Sequence, residues 1–436
     1  ASVSGFAATS ATVYTALITP TTDGTVTIDV AAGVAQDGTG NDNTAATQAT
    51  SEYDATAPTV EITGTPAMAN GAFTASFTFS EAVTGFTAGD IDVTNASISD
   101  FTAESATLYT ALVTPLADGP VTLGVAAGVA QDGTGNDNSA AVQATSEFDA
   151  TAPTVAISGV PATSSAAFTA TFTFSEDVTG FTSGDIDVTN ASVSGFSATS
   201  ATVYTALITP TADGTVTIDV AAGVAQDGTG NDNSAAVQAS SEFDATAPSV
   251  TISGVPATSS AAFTATFTFS EDVTGFTSGD IDVTNASVSG FSATSATVYT
   301  ALITPTSDGT VTIDVAAGVA QDGTGNDNSA ATQATSEYDA TAPSVVISGV
   351  PATSSAAFTA TFTFSEDVTG FTAGDITVTN ASVSGFSASS ATVYTALITP
   401  TADGTVTIDV AAGVAQDGTG NDNSAAVQAT SEFDAT

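Results

Sequence analysis

The sequence predicts an all-β protein, a tandem array of antiparallel β-sandwich domains of about seven strands each. The first observation is that the sequence repeats itself every 95 residues without an insertion. The second is that each repeat alternates short runs rich in Thr, Val, Ala, Ile and Phe with Gly or Pro turns about every 8 to 12 residues. No stretch shows the apolar periodicity of an amphipathic helix.

The tetrapeptide Ala-Thr-Ala-Pro begins each repeat, at residues 55, 150, 245 and 340. A unit of this length can bury a core of its own, whereas solenoid repeats of about 20 to 45 residues bury their apolar faces only against neighbours. We therefore expect domains that fold independently. The predicted domains are a partial repeat at 1–54 and full repeats at 55–149, 150–244, 245–339 and 340–436.

Residues 1–54 correspond to the second part of a repeat, because Ala1 aligns with Ala96, Ala191, Ala286 and Ala381. The front strands of a domain are missing from this segment. The sequence does not begin with methionine and shows no signal peptide. We expect a window of a longer polymer, or a half-domain that another segment completes.

The repeat 150–244 illustrates the elements in order. Pro153 cannot donate to a β-ladder and therefore suits the start of the first strand. The second strand alternates strictly, which places its Phe side chains and Ala170 on one face that we assign to the core. Phe181, in a predicted helical turn at 179–184, closes one end of that core. The predicted strands are 154–158, 167–175, 185–189, 192–197, 201–209, 214–220 and 234–243.

The strand 201–209 departs from clean alternation. Tyr204, Ala206 and Ile208 can face the core. Val203 and Leu207 then point outward, and a stripe repeated at constant spacing would suit a lateral contact between chains or domains. The alternative is a scatter of surface aliphatic side chains partly covered by loops. The equivalent pairs are Val13 and Leu17, Leu108 and Leu112, Val298 and Leu302, and Val393 and Leu397.

The chain contains no Lys, Arg or His and 46 Asp plus Glu, for a formal net charge of −46. Salt bridges between side chains are excluded, and binding to nucleic acid or to anionic membranes is disfavoured. The charge favours cations from solution, with Ca²⁺ as the candidate; the alternative is acidic solubility in a salty medium. Without Cys there is no disulfide or thiolate metal site, and no apolar run approaches the ~18 residues of a membrane helix.

Catalysis is poorly supported, because no His, Lys or Cys is present to activate the many Ser and Thr hydroxyl groups. Carboxylate pairs remain, but adjacent strand residues such as Glu176 and Asp177 point to opposite faces and cannot form a glycosidase pair. We expect a protein that is not an enzyme.

Sandwich topology brings the leading linker, the loop after the second strand and the last long loop to one pole of each domain. Several carboxylates that meet there without a cationic side chain would repel each other, so we predict a divalent cation, Ca²⁺, at each junction. In 150–244 the grouped acids are Asp149, Glu176, Asp177, Asp185, Asp227 and Asp232, with Asp118 from the preceding repeat. The candidate ligands are Asp54, Glu81, Asp132, Asp137, Asp149, Glu176, Asp177, Asp227, Asp232, Asp244, Glu271, Asp322, Asp327, Asp339, Glu366, Asp417 and Asp422.

The last long loop offers oxygen side chains at alternate positions, Asp227, Thr229, Asn231 and Asn233, as the first half of an EF-hand loop does. It lacks the bidentate Glu at the twelfth position. The alternative is an Asx-rich turn, because Asn and Asp cap their own backbone in loops. The tripeptide Asn190-Ala-Ser, which recurs in each repeat, fits either a glycosylation sequon or a plain turn.

Two segments of each repeat, FTFSEDVTGFTSGDIDVTNASVSGF and YTALITPTADGTVTIDVAAGVAQDGTGNDNSAA, together with the Ala-Pro that precedes them, resemble the bacterial Ig-like tandem repeats of giant surface adhesins and biofilm-associated proteins. The resemblance covers the whole chain. It implies Ig-like sandwiches, an extracellular or cell-surface location, and a stalk of the kind that calcium often stiffens. It identifies no ligand.

We therefore expect the stalk of a large bacterial surface adhesin, acting in cell adhesion and biofilms. The alternative is a subunit of a self-assembling extracellular filament, sheath or surface layer, in which the partners are like repeats of identical chains. A stalk should have hydrated lateral faces. A filament should bury the Val203 and Leu207 stripe or the open edge strands between chains.

Overall fold

Eight strands form each full repeat in the computed structural model, which describes residues 1–436, and four strands form the segment 1–54. Segment 1–54 contains β1 Ser2–Ala8, β2 Tyr14–Thr19, β3 Gly24–Ile28 and β4 Ala49–Tyr53. The first full repeat contains β5 Val60–Thr63, β6 Met68–Ala69, β7 Phe73–Phe79, β8 Ile91–Thr94, β9 Ala96–Ala103, β10 Leu108–Pro115, β11 Gly119–Val125 and β12 Ala144–Phe148. The second contains β13 Val155–Ser158, β14 Thr163–Ser164, β15 Phe168–Phe174, β16 Ile186–Thr189, β17 Ala191–Ala198, β18 Val203–Pro210, β19 Gly214–Val220 and β20 Ala239–Phe243.

The third and fourth repeats follow the same order. The third contains β21 Val250–Ser253, β22 Thr258–Ser259, β23 Phe263–Phe269, β24 Ile281–Thr284, β25 Ala286–Ala293, β26 Val298–Pro305, β27 Gly309–Val315 and β28 Ala334–Tyr338. The fourth contains β29 Val345–Ser348, β30 Thr353–Ser354, β31 Phe358–Phe364, β32 Ile376–Thr379, β33 Ala381–Ala388, β34 Val393–Pro400, β35 Gly404–Val410 and β36 Ala429–Phe433. Short 3₁₀ helices precede the fourth strand of each full repeat, at Ala88–Asp90, Ser183–Asp185, Ser278–Asp280 and Ala373–Asp375. None of these helices is long enough to cross a membrane.

Two four-stranded sheets make each full repeat a sandwich, which confirms the predicted tandem array of Ig-like domains. In the third repeat the strand orders are β21-β23-β26-β25 and β22-β28-β27-β24. All neighbouring strands are antiparallel except β22 and β28, which pair in parallel with Thr258 opposite Glu337. The sequence predicts about seven strands and not eight; β22 could not be predicted, because its two polar residues show no apolar alternation.

Alternating Phe side chains form the core, as predicted. In the second repeat Phe172 is fully buried and lies opposite Tyr204 in the neighbouring strand. Phe181 closes one end of the core, with ring centroids 5.1 Å from Phe174 and 5.2 Å from Tyr204 in edge-to-face arrangements. The Tyr204 hydroxyl donates to the carbonyl of Val178 at 3.1 Å, so the one polar group of this cluster is satisfied.

Strand bounds differ from the prediction mainly at the end of the repeat. The sequence predicts a strand over 234–243, whereas β20 begins at Ala239. The N–H of Ser234 donates to the carbonyl of Pro153, which precedes β13 of one sheet, and the N–H of Ala236 donates to the carbonyl of Val220, at the end of β19 in the other sheet. This part of the chain therefore does not pair with a single strand. The predicted helical turn at 179–184 is a 3₁₀ helix at Ser183–Asp185.

The outward face of β18 is as predicted. Tyr204, Ala206 and Ile208 are buried, while Val203 is half-buried and Leu207 is 38% exposed. The stripe is therefore partly covered within its own domain.

Segment 1–54 forms two strand pairs, β1 with β2 and β3 with β4. Its apolar face is exposed: Tyr14 is 55% exposed, whereas Tyr204, its equivalent in the second repeat, is 6% exposed. The difference arises because the segment contains no counterparts of β13, β15 and β16.

The chain divides into two compact units. One comprises Ala1–Ala162, Ala167–Thr211 and Thr215–Ser241, and the other comprises Thr163–Ala166, Ala212–Gly214 and Glu242–Thr436. The division falls inside the second repeat, because its segments Thr163–Ala166 and Ala212–Gly214 belong to the second unit. The domain boundaries at 55, 150, 245 and 340 remain a prediction.

The first repeat has an aspartate where the others have glycine in a bulged strand. Asp100 has φ of 50°, and the glycine equivalents Gly195, Gly290 and Gly385 have φ of 58°, 57° and 56°. A Cβ atom is disfavoured in this left-handed region. The first repeat therefore carries a conformational cost that its neighbours lack.

Replacing Asp100→Gly should stabilise the first repeat by up to about 1 kcal/mol, because glycine adopts this backbone conformation without a steric penalty. The reverse change, Gly195→Asp, should destabilise the second repeat by a similar amount. Hydrogen exchange of the amides of 96–115 in the full chain measures the first effect, since this stretch differs in sequence from the other repeats and its peptides are distinguishable. Unchanged or faster exchange in Asp100→Gly would contradict the expectation.

Candidate metal centre

The last long loop of each repeat folds around an aspartate. In the second repeat Asp227 Oδ1 accepts hydrogen bonds of 2.7–2.9 Å from the N–H groups of Thr229, Gly230 and Asn231 and from the Thr229 hydroxyl. Its Oδ2 accepts from the Asn231 amide at 2.8 Å. Burial, the largest influence, raises the pKa of Asp227, but the bonds from Asn231 and Thr229 together lower it below its ordinary value. The loop is an Asx-type turn, in which the side chains of Asp227, Thr229 and Asn231 hydrogen-bond to one another.

Asn233 has a structural role that the sequence did not reveal. Its Oδ1 accepts from the N–H groups of Val224 and Ala225, and its Nδ2 donates to the carbonyls of Ala221 and Ser234, all at 2.8–2.9 Å. The side chain is buried. Because its donors and acceptor are used within the loop, Asn233 is not a ligand.

The same loop contacts the linker in front of the domain. The carbonyl of Asp149 accepts from the Asn231 amide at 2.8 Å and from the Thr229 hydroxyl at 3.2 Å. These bonds hold the linker against the loop and bring the Asp149 carboxylate towards Asp227.

Three carboxylates meet at this contact. Asp149, Glu176 and Asp227 each offer an oxygen, and these atoms lie within 4.8 Å of one another. Two like charges about 4 Å apart repel by roughly 4 kcal/mol in a surface-like dielectric, and the chain has no cationic side chain to offset this. Such a donor set can hold a metal ion. The other groups are Asp54, Glu81 and Asp132; Asp244, Glu271 and Asp322; and Asp339, Glu366 and Asp417.

The glutamate is the member of each cluster with the least favourable charge. Burial raises the pKa of Glu176, and the charges of Asp149, Asp227 and Asp118 raise it further. The same causes, burial first and neighbouring carboxylates second, raise the pKa of Glu81, Glu271 and Glu366. Each cluster therefore favours either a proton on its glutamate or a cation among its oxygens.

The structure places the other predicted acids elsewhere. Asp185 accepts from the backbone N–H of Thr182 at 2.8 Å and caps the 3₁₀ helix. Asp177 lies near Tyr204, whose pKa is raised by burial and then by the Asp177 charge. The second loop aspartates accept from glutamine side chains of their own loops at 2.8–2.9 Å; they are Asp137, Asp232, Asp327 and Asp422.

The Asn-Ala-Ser sites have the geometry of a turn. Asn95 has φ of 58° and donates to the carbonyl of Ala117 at 2.7 Å. Asn285 has φ of 55° and donates to the carbonyl of Ser307 at 2.7 Å. The amide that a glycan would modify is thus used within the fold.

Four stretches of the chain, residues 54–147, 149–243, 244–338 and 339–433, match the bacterial Ig-like domain family. No curated protein sequence matches the chain at a significant level. Solved structures with a similar fold include the Escherichia coli adhesin FdeC, at 14% identity over 66% of this chain and 98% of that chain, with a TM-score of 0.33. Invasin, a bacterial integrin-binding protein, has 15% identity over 87% of this chain and 79% of that chain, with a TM-score of 0.33. InvD of Yersinia pseudotuberculosis has 16% identity over 64% of this chain and 96% of that chain, with a TM-score of 0.29. At this identity the likeness is one of fold and says nothing of ligand or assembly.

Without divalent cations, the free energy of unfolding should fall as the pH rises from 4.5 towards neutrality. The four cluster glutamates have an ordinary pKa of 4.5 and a higher pKa in the folded chain, so the folded chain binds more protons in this window. Their stabilising contribution is complete below pH 4.5 and is lost as the pH rises through the raised pKa. Thermal unfolding followed by circular dichroism in cation-free buffers measures the slope. Replacement of all four glutamates by Gln should flatten it, and an unchanged slope would contradict this assignment.

Proposed function

Because the chain belongs to the bacterial Ig-like domain family, we propose that it is an extracellular structural region, the stalk of a large bacterial surface adhesin stiffened by calcium between its domains. The observation that carries the proposal is the three-carboxylate cluster that recurs at all four repeat junctions. Each cluster joins an acid of the linker to two acids of the domain that follows. An ion held there would link the two and restrict their relative motion. The role is structural and not enzymatic.

Calcium suits these clusters better than magnesium. Ca²⁺ accepts six to eight oxygen ligands at about 2.3–2.6 Å in flexible geometry and binds carboxylates in mono- or bidentate fashion. Mg²⁺ requires near-ideal octahedral geometry and retains its waters. Each of the three carboxylates offers one oxygen to such a site, and two of the three residues, Asp149 and Glu176, are half-exposed, so water can supply the remaining ligands.

Calcium should raise the unfolding temperature of the chain, and the change of Glu81, Glu176, Glu271 and Glu366 to Gln should remove most of that effect. The physical reason is that a divalent cation offsets the repulsion at each cluster and binds the folded state only. Calorimetric titration should count about four tight sites per chain, one for each cluster.

The matched control changes Asp137, Asp232, Asp327 and Asp422 to Asn, which removes the same formal charge outside the clusters. This control should keep its response to calcium. An equal loss of response in both variants, or an equal effect of sodium at the same ionic strength, would point to general charge screening and against the proposed site.

A self-assembling filament, sheath or surface layer is the second candidate, and exposed valines favour it. Val142, Val237 and Val427 are 88–90% exposed. Val142 borders a groove that Val60 and Ile62 of the edge strand β5 also line. Val142 is thus an exposed apolar side chain beside an open sheet edge, and such edges are places where chains associate.

The change of Val142, Val237 and Val427 to Thr tests this second candidate. Segment 1–54 and the third repeat carry Thr47 and Thr332 at this position, so the fold accepts threonine there. Sedimentation velocity should show that a filament-forming chain loses its assemblies on this change. If the chain is a stalk, the parent and the variant should both sediment as single chains.

A further inference from the structure

We infer that Asn231 and Thr229 hold the second repeat in a fixed orientation on the first repeat without a cation, and that Asn421 and Thr419 do so for the fourth repeat on the third. The inference goes beyond the proposed calcium function, because the bonds that carry it join neutral donors to a backbone carbonyl. It assigns the orientation to the bonds of the loop, while the proposed cation further restricts motion about an orientation that is already set.

The preceding repeat holds one side of the linker. The N–H of Asp149 donates to the carbonyl of Ala69 at 3.0 Å. Asp118, from the turn before β11, accepts from the N–H of Ala150 at 2.9 Å and from the hydroxyl of Thr151. These three donors of the linker are therefore satisfied by the first repeat.

The following repeat holds the other side. The Asp149 carbonyl accepts from Asn231 and Thr229, and the Pro153 carbonyl accepts from the N–H of Ser234 at 2.8 Å. The backbone of a single residue, Asp149, thus bonds to the first repeat through its N–H and to the second repeat through its C=O. A linker held from both sides in this way differs from the flexible, few-contact linkers that usually join domains.

The junction between the third and fourth repeats has the same bonds. Between the third and fourth repeats, the N–H of Asp339 donates to the carbonyl of Ser259 at 2.9 Å, and its carbonyl accepts from Asn421 at 2.8 Å. The hydroxyl of Ser260 adds a bond of 3.2 Å to the carbonyl of Thr419. In the third repeat Asn326 likewise donates to the carbonyl of the preceding aspartate, Asp244, at 2.8 Å.

Segment 1–54 contains the same loop conformation without a contact to a linker. Asn41 there donates to Asp37 and Thr39 at 2.9 Å, as Asn231 does to Asp227 and Thr229, yet it makes no bond to a linker carbonyl. The loop conformation therefore does not require the junction. This makes Asn41 and Thr39 a matched control for Asn231 and Thr229.

The test measures the distance between spin labels on the first and second repeats in the full chain. Ser99→Cys and Ser194→Cys provide exposed labelling sites at equivalent positions, and the chain has no other cysteine. In a chelator, the parent chain should give a narrow distance distribution. Asn231→Ala with Thr229→Val should broaden it about twofold, as expected for domains that move freely. Asn41→Ala with Thr39→Val should leave it narrow.

Two results would overturn the inference. One is a parent distribution in chelator as broad as that of the Asn231 and Thr229 variant, narrowing only when calcium is added; this would leave the calcium proposal standing. The other is a variant as narrow as the parent, which would assign the orientation to Asp118 and the linker alone. A Glu176→Gln chain, measured alongside, should stay narrow in chelator even where it has lost its response to calcium, so the two proposals fail separately. Circular dichroism confirms that each variant is folded.

Discussion

A chain with 46 acidic and no basic side chains can meet its negative charges only with neutral hydrogen-bond donors or with ions from solution. The fold uses neutral hydrogen-bond donors wherever local geometry allows. Asp227 is surrounded by N–H and hydroxyl donors of its own loop, Asp185 caps a 3₁₀ helix, and Asp118 accepts from the linker. Hydrogen bonds to a carboxylate favour its charged form, so these acids are stabilised without a counter-charge.

Glu176 and its equivalents are acids that hydrogen-bond donors do not stabilise in this way. Burial and neighbouring aspartates raise the pKa of Glu176, and no hydrogen-bond donor lowers it. The domain thus concentrates its unrelieved charge at one place, the contact between linker and loop. Stability against pH and any response to divalent cations should arise from that place, although the bulk of the acids lie elsewhere on the surface.

Much of this could be predicted from the sequence, for reasons that differ from residue to residue. The alternating Phe residues of β15 fix which face is buried, because a strand has a period of two. The grouping of Asp149, Glu176 and Asp227 followed from the loops that a sandwich brings to one pole. The outward placement of Asp177 and Asp232 did not follow, because it depends on single side-chain bonds. The role of Asn231 could not be predicted either. A carboxamide is both a donor and an acceptor, and the sequence does not show whether its NH₂ group or its oxygen faces the linker.

The bond between Asp149 and Ala69 uses only backbone atoms, and at the last junction Ser259 takes the place of Ala69. The loop of each repeat likewise recognises the carbonyl of whichever aspartate precedes it. These backbone bonds therefore do not depend on which side chains the two repeats carry. Unequal recombination that deletes or duplicates a whole repeat can leave them in place, so lineages can alter the length of the array while keeping this part of each junction.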